Sequence, residues 1–387
     1  MNNTSHLKNI CVTVDITPLR GEKTGIGNYI HYTLKFLLLN YKDLIINGIS
    51  FGVHKFQNDS YEIVHKLEKH IHIPVPVRIL YNWWNICRYP NIDTLLKNNS
   101  ILHFTNYYLP PIYHNKTVLS IYDLSFLTCP QWVSPQIINL FKPTIFPSAQ
   151  RATHIITCSE KSKKDIETLL NIPSEKISVS YPGYDDTIFH PLDKEKAQLY
   201  IEKHYQIKSP FILFVGTIEE RKNVSGLLNI YEKVQNNIPH RLVLIGKKGF
   251  HANEILSKMQ QMKCSDKIIY LNYINNHSEL KWFYSSADMF IYPSFDEGFG
   301  IPPLEAMACG CPVIVSNQGA LPEVVGHKGI TIHPQDIDNF AEAITTLLSD
   351  KNKYNNMITN SILQAKNFSW SKSAKSHYEV YKKLDEI

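Results

Sequence analysis

The sequence predicts an α/β protein built as two doubly wound domains, and three observations carry that expectation. From about residue 210 onward, short apolar runs alternate with helix-period stretches, the pattern of parallel strands joined by crossover helices. The first half repeats the alternation less cleanly. At 387 residues the chain also exceeds what one hydrophobic core usually serves.

In the first half, strands are expected at 10–14, 45–52, 101–104, 117–121, 154–157 and 177–180, with helices at 26–39, 135–150 and 160–169. Pro182-Gly183 and Pro191 surround charged sequence and place the link between the halves near 183–210. Phe211–Val215 is a continuous apolar run closed by Gly216, as in a strand buried on both faces. A helix follows from about Val224 to Val234, then a strand at 241–245 ended by Gly246, a helix at 253–262 and a strand at 268–271. A helix at 278–286 and strands at 289–292, 312–315 and 329–333 complete a series of roughly six parallel strands. Ser369-Trp370-Ser371 opens a final helix reaching about Leu384.

Composition narrows the function. Hydrophobic content of 43% and charged content of 19% are those of a globular protein. No run approaches the length of a membrane-spanning helix. Met1-Asn2-Asn3-Thr4-Ser5-His6 lacks a signal-peptide core, so the expected location is cytoplasmic. Seven cysteines are scattered, and the Cys309-x-Cys311 pair has no second pair near it, so free thiols in a reducing compartment are expected rather than zinc or disulfides. Residues 1–190 carry 18 Lys and Arg against 14 Asp and Glu, and the remainder 22 against 21. That modest excess suits an anionic membrane surface or a polyanionic lipid acceptor. No dense basic stripe interleaves with aromatics, which argues against nucleic acid.

Chemistry concentrates at 289–315. Strand-like Met289–Tyr292 leads into Glu297-Gly298-Phe299-Gly300-Ile301-Pro302-Pro303-Leu304-Glu305, then a short helix stopped by Gly310 and another strand. Pro303 suits a first helical turn and Gly310 an exit. Glu297 is expected on the loop at a strand's carboxyl end and Glu305 in the first turn of the helix. A parallel sheet binds ligands at that edge, where helix N–H groups attract phosphate. Two glutamates at this spacing would, in isolation, read as one loop residue and one residue complementing a helix dipole.

The whole run, continuing through Ala306-Met307-Ala308-Cys309-Gly310-Cys311-Pro312-Val313, resembles the signature of the family-4 retaining glycosyltransferases, whose GT-B fold pairs two Rossmann-like domains facing across a cleft. The resemblance implies that Glu297 contacts the sugar of a nucleotide-sugar donor and Glu305 holds its ribose hydroxyls, with Gly298, Phe299 and Gly300 lining the same site. It also implies that the final helix crosses back, giving a first domain of 1–190 plus 370–387 and a donor-binding domain of 191–369.

A departing nucleoside diphosphate gains negative charge, so its site needs fixed cations and N–H dipoles. Arg221 and Lys222, just past a strand and at the start of a helix, supply a two-pronged donor and a compact charge. The run Gly216-Thr217-Ile218-Glu219-Glu220-Arg221-Lys222-Asn223 resembles the family's G-T-x-x-x-R-K-N element, which makes Gly216, Thr217, Arg221 and Lys222 donor-binding. Some relatives have arginine where Thr217 stands. Gly25-Ile26-Gly27 follows the first strand and opens a helix; with Asp15, Pro18 and Arg20 upstream it resembles the loop that walls the active cleft. Residue 30 is isoleucine, which breaks the dinucleotide fingerprint and argues against a nicotinamide enzyme.

Asp123 ends another strand and either orients a sugar or serves a turn; many relatives carry histidine where Tyr122 stands. His103 reads equally as a core or a functional residue. The stretch Arg78–Tyr89, with Trp83, Trp84 and Arg88, is either a core-packing helix with basic ends or a patch facing membrane or lipid diphosphate.

The N-terminal half, through V-D-I-T-P-L-R and I-Y-D-L-S-F-L, is similar to bacterial mannosyltransferases of O-antigen and capsular polysaccharide assembly. The expected activity is therefore retaining transfer of a hexose, mannose from GDP-mannose first and UDP- or other GDP-sugars next, to a glycan or lipid-linked glycan, with the inner membrane surface as a peripheral contact. Neither metal nor cofactor is expected. Glu297, Arg221, Lys222 and Asp123 are the catalytic candidates. The alternatives are a nucleotide-sugar epimerase or hydrolase of the same fold, and an inactive scaffold in polysaccharide assembly.

Overall fold

The computed structural model describes residues 9–21, 25–56, 58–87, 89–94, 96, 100–274 and 276–387. Met1–His6 and Arg88 lie outside them. The chain divides into two compact units. The first comprises Met1–Leu127, Pro135–Pro182 and Trp370–Ile387; the second comprises Thr128–Ser134 and Gly183–Ser369. The division thus falls at Pro182–Gly183, and a short segment before the helix Pro135–Arg151 groups with the second unit.

The first unit is a seven-stranded sheet of β1 (Ile10–Asp15), β2 (Leu44–Phe51), β3 (Lys69–Ile73), β4 (Ile101–Phe104), β5 (Thr117–Ser120), β6 (His154–Thr157) and β7 (Ile177–Val179). Its order is β3-β2-β1-β4-β5-β6-β7, with every pair parallel. β4, β5 and β6 are buried throughout, the burial expected of central parallel strands. β3 was not among the expected strands. Lys69-His70-Ile71-His72-Ile73 is a half-exposed edge, and its polar alternation carries no apolar run to recognise. The helix Trp370–Glu386 groups with this unit; Trp370 stacks on Tyr32 at 5.1 Å and Tyr378 on Tyr41 at 3.9 Å.

The second unit is a six-stranded parallel sheet of β8 (Phe211–Val215), β9 (Arg241–Ile245), β10 (Ile268–Leu271), β11 (Met289–Tyr292), β12 (Val313–Ser316) and β13 (Ile330–Ile332), ordered β10-β9-β8-β11-β12-β13. In each sheet the order reverses direction beside the first strand, between β1 and β4 and between β8 and β11. Such a switch point leaves a crevice at the carboxyl ends of the strands.

Most expected elements form close to their expected bounds. The exceptions have local causes. Residues 194–205, inside the expected link, are helical, capped by the Asp193 carboxylate accepting from the Lys196 N–H at 2.9 Å. Helices Ile337–Ser349 and Lys351–Ala365 follow β13 and are capped by Asp336 and Asp350. Glu305 is the fifth residue of the helix Ile301–Ala308, not in its first turn, so complementing the helix dipole does not explain it. That helix ends as its sequence suggests: Gly310 is left-handed, its N–H reaches the Met307 carbonyl at 3.0 Å, and the Cys311 N–H reaches the Ala306 carbonyl at 2.9 Å.

Candidate active site

Two loops of the second unit meet beyond the switch point. One runs from Gly216, after β8, to the turn Glu220–Lys222; the other runs from Pro293, after β11, to Gly300. Asn223 ties them together. It takes a left-handed conformation (φ 53°), caps the helix Val224–Val234 by accepting from the Gly226 N–H at 3.1 Å, and donates to the carbonyls of Pro293 (3.1 Å) and Pro334 (2.8 Å). The Phe295 N–H also donates to the Arg221 carbonyl at 2.9 Å.

This bracing brings three of the sequence candidates into one cluster. Lys222, only 8% exposed, pairs through Nζ with Oε1 of Glu297, 7% exposed. Arg221 lies 3.7 Å from Glu297 Oε2, donates to the Asp296 carbonyl at 2.8 Å, and pairs with Glu219 at 3.0 Å. Ser294 donates its hydroxyl to Glu297 Oε1 at 3.0 Å, and the Lys222 ammonium sits 5.4 Å from the Tyr292 ring centroid. Burial works against the Glu297 charge, but Lys222, then Arg221, with hydrogen bonds from Lys222 and Ser294, hold its carboxyl below the ordinary value. Lys222 is held below its own ordinary value by burial and by Arg221, against the opposing pull of Glu297 and Glu219.

A third loop fixes the Glu297 backbone. Gly319 has φ +62°, and a Cβ there would lie 2.5 Å from the Glu297 nitrogen, so only glycine fits; the Ala320 N–H donates to the Glu297 carbonyl at 3.0 Å. Sequence reasoning missed this brace and Ser294, and it placed Asn223 in a motif without its bracing role. Gln318-Gly319-Ala320 carries a glycine signal but nothing that points to its partner twenty-odd residues earlier.

Gly298, Phe299 and Gly300 are buried, and the Phe299 ring packs edge-on against Phe368 at 5.4 Å, so its side chain belongs to the core. Gly216 donates to the Ile245 carbonyl at 2.9 Å, and the Thr217 methyl leans over Gly249. Glu305 has its own partners. Tyr284 donates its hydroxyl to Oε2 at 3.0 Å, and His277 Nε2 is 3.3 Å from Oε1.

The remaining candidates belong to the first unit. Gly25 opens the helix Gly25–Asn40, exposed, and a Cβ on it would meet nothing within 4 Å; Gly27 is buried in the first turn. Asp123 accepts from the Ser125 N–H at 3.0 Å, a turn just before the short helix Ser125–Thr128. The Tyr122 ring is buried edge-on between Tyr29 (5.2 Å) and Tyr107 (6.0 Å). His103 is a core histidine: Nδ1 contacts the Tyr381 hydroxyl at 2.6 Å and Nε2 the Ser120 hydroxyl at 2.8 Å. The helix Val77–Cys87 divides the two readings of its stretch. Tyr81 and Trp84 are buried, whereas Ile79, Trp83 and Ile86 are exposed.

Residues 200–364 match the family model described as Glycosyl transferases group 1. O-antigen chain mannosyltransferase B of Escherichia coli is 31% identical over 286 residues, covering 73% of this chain and 74% of that protein. The chain belongs to the group 1 glycosyltransferases. O-antigen chain mannosyltransferase RfbU of Salmonella typhimurium is 28% identical over 337 residues, 84% of this chain and 88% of that one. Among solved structures, sucrose-phosphate synthase from Thermosynechococcus elongatus superposes with TM-score 0.78 at 18% identity, covering 97% of this chain and 99% of that chain. WaaG, a glycosyltransferase involved in lipopolysaccharide biosynthesis, gives 0.72 at 14%, covering 95% and 99%. These likenesses establish the GT-B fold. The Lys222–Glu297–Arg221 cluster therefore lies in the matched region of a glycosyltransferase, at its sheet's switch point.

Proposed function

We propose that this glycosyltransferase moves a hexose, mannose from GDP-mannose in the first instance, with retained stereochemistry, to a hydroxyl of a growing lipid-linked surface glycan on the cytoplasmic side of the membrane. The observation that carries the donor site is the buried Lys222–Glu297 pair with Arg221 beside it. The choice of mannose rests on the printed functions of the relatives, two of them O-antigen chain mannosyltransferases. A glycosyltransferase-fold neighbour, Anabaena Alr3699/HepE, was solved in complex with UDP and glucose, at TM-score 0.72 and 14% identity.

In this reading Arg221 and Lys222 take the donor diphosphate, Glu297 the sugar hydroxyls and Glu305 the ribose. Lys222 and Arg221 already have a carboxylate partner, so an arriving diphosphate exchanges one anion for another at a preformed site. The acceptor oxygen bonds to the anomeric carbon as the bond to the diphosphate breaks on the same face. The acceptor proton passes to the departing phosphate oxygen. The cations and N–H groups stabilise the leaving charge without a covalent partner or a metal.

Thermal shift against GDP-mannose, UDP-glucose, UDP-galactose, UDP-GlcNAc and the free nucleotides tests the donor. Ligand at 100 times its dissociation constant stabilises by about 2.7 kcal/mol. Selective stabilisation by GDP-mannose, followed by product analysis showing mannose on an acceptor, is expected. Stabilisation by a UDP-sugar alone overturns the donor choice; an epimerised or free sugar as sole product overturns transfer.

A further inference from the structure

A cluster of one arginine and two histidines lies in the first unit, at the carboxyl ends of β2 and β3, and the donor-site reading above gives its histidines no role. In the parallel register of these strands Gly48 faces His70 and Ser50 faces His72. Two small residues thus form a shelf under two imidazoles. A Cβ on Gly48 would lie 2.8 Å from Leu67, 2.9 Å from Ile16 and 3.5 Å from the His70 ring. The fully buried Ser50 hydroxyl is 2.9 Å from His70 Nε2 and 3.0 Å from His72 Nδ1, while both histidines are exposed residues. Arg20 closes the third side. Its Nη1 lies 3.2 Å from His72 Nδ1 and 3.4 Å from Ser50 Oγ. Its guanidinium stacks 4.7 Å over the Phe56 ring, and its backbone is held by a bridge to Phe56.

The charge balance of this cluster is unusual. Among the described residues, Arg20, His70 and His72 make no ion pair with a carboxylate, and Arg20 Nε is buried without a hydrogen-bond partner. A guanidinium without a counter-charge and with a buried unpaired N–H carries an unmet cost, which an anion would relieve. Burial, then His72 and Arg20, hold His70 below its ordinary pKa. Two histidines at alternate positions of a strand also suit a metal ion, but the adjacent guanidinium repels one. Arginine with imidazole and hydroxyl donors suits a tetrahedral oxyanion instead, and the carboxyl edge of a parallel sheet is where such groups bind.

We propose that Arg20, His70, His72 and Ser50 of the first unit form a phosphate-binding site made of residues other than Arg221 and Lys222. The phosphate comes either from a lipid-borne monoester or from the free ion.

Proton–carbon correlation spectra of the histidine Cε1–H groups in the full-length protein test this directly, with His70→Gln and His72→Gln assigning the signals. Titration with inorganic phosphate is expected to shift both signals. Arg20→Gln should abolish the shift and Arg20→Lys retain part of it, while the signals of buried His103 and His377 stay in place and report an intact fold. A parallel titration with farnesyl phosphate, below its micellar concentration, separates the sources. Affinity about tenfold or more above that of inorganic phosphate identifies a lipid-borne ligand, and equal affinity identifies the free ion. No movement of His70 and His72 with either probe, or movement unchanged in Arg20→Gln, overturns the site.

Discussion

Lys222 and Glu297 are ion-paired to each other across the switch point of the second sheet, although the sequence assigns one to phosphate and the other to sugar. The pair explains how a lysine and a glutamate, each more than nine-tenths buried, persist without ligand: each offsets the other's desolvation. It also makes their energetics inseparable. Lys222→Ala is expected to lower turnover about a hundredfold or more, the scale of losing one such donor. Leaving Glu297 buried without its ammonium also costs stability, about 3–5 kcal/mol for a fully orphaned charge. Arg221 at 3.7 Å reduces that cost. Urea denaturation of Lys222→Ala, Glu297→Gln and the double variant measures the coupling: the double variant should be less destabilised than the sum of the singles. Strict additivity would show that the two side chains do not act as a pair.

Freeing Lys222 from its partner gives a second expectation. If Glu297 competes with the diphosphate for Lys222 and Arg221, Glu297→Gln should bind free nucleoside diphosphate several-fold more tightly while turning over far more slowly. Calorimetric titration with GDP and an initial-rate assay read the two halves. Weaker GDP binding in Glu297→Gln would mean that the carboxylate orients the cations for phosphate instead of competing for them.

How much of this was legible in the sequence follows from the range of the forces involved. Continuous apolar runs such as Phe211–Val215 declare buried parallel strands because neighbours on both faces demand it. The edge strand β3 has no such demand placed on it, and its histidines gave no strand signal. Arg221, Lys222 and Glu297 were legible as motif residues. Their mutual pairing was not, because β8 and β11 lie side by side and bring together Lys222 and Glu297, 75 residues apart in the chain. Glu305 shows the opposite failure: its position was legible, but its environment of Tyr284 and His277 comes from a neighbouring helix and turn. Asp123 was read as a sugar contact or a turn residue, and its bond to the Ser125 N–H shows the turn geometry that a strand-end aspartate adopts.

The helix Val77–Cys87 gives a third prediction. Tyr81 and Trp84 anchor it, Trp84 donating its indole N–H to the Pro90 carbonyl at 2.9 Å. Ile79, Trp83 and Ile86 are 59%, 54% and 83% exposed and recur at helical spacing on the other side. Residues 69–92 contain Lys69, Arg78 and Arg88 and no acidic residue. An exposed aromatic and aliphatic helix face beside basic residues suits a bilayer surface. Trp83→Ala with Ile86→Ser should reduce co-sedimentation with vesicles rich in phosphatidylglycerol and leave the thermal midpoint nearly unchanged. Trp84→Ala should do the reverse, lowering stability by the about 3–5 kcal/mol typical of emptying a large core site. Equal vesicle binding by the wild type and the Trp83–Ile86 variant would confine this helix to a packing role.

The last prediction concerns pH and turns on groups buried in the first unit. Burial pushes Asp15 up to about 6, against hydrogen bonds from the Thr17 N–H at 2.9 Å and the Thr17 hydroxyl at 2.5 Å. The folded protein therefore holds the Asp15 proton more tightly than the unfolded chain. The resulting stability is fully present below the unfolded value of 3.8 and is lost as pH rises through about 6. Asp15→Asn keeps an oxygen for Thr17 and removes the charge, so at pH 7 it should stabilise the protein by up to about 3 kcal/mol, with the advantage vanishing near pH 4. Histidines oppose this trend. Burial holds His154 and His377 down at about 4 and His103 well below its ordinary value, so their contribution is full above 6.5 and lost as pH falls toward 4. Three such groups outweigh one aspartate, and the wild type should lose stability between pH 6.5 and 4. Asp15→Asn should lose it more steeply, since it lacks the compensating carboxyl. Urea midpoints of both proteins across that range decide the matter: parallel curves would mean that Asp15 titrates alike in the folded and unfolded states.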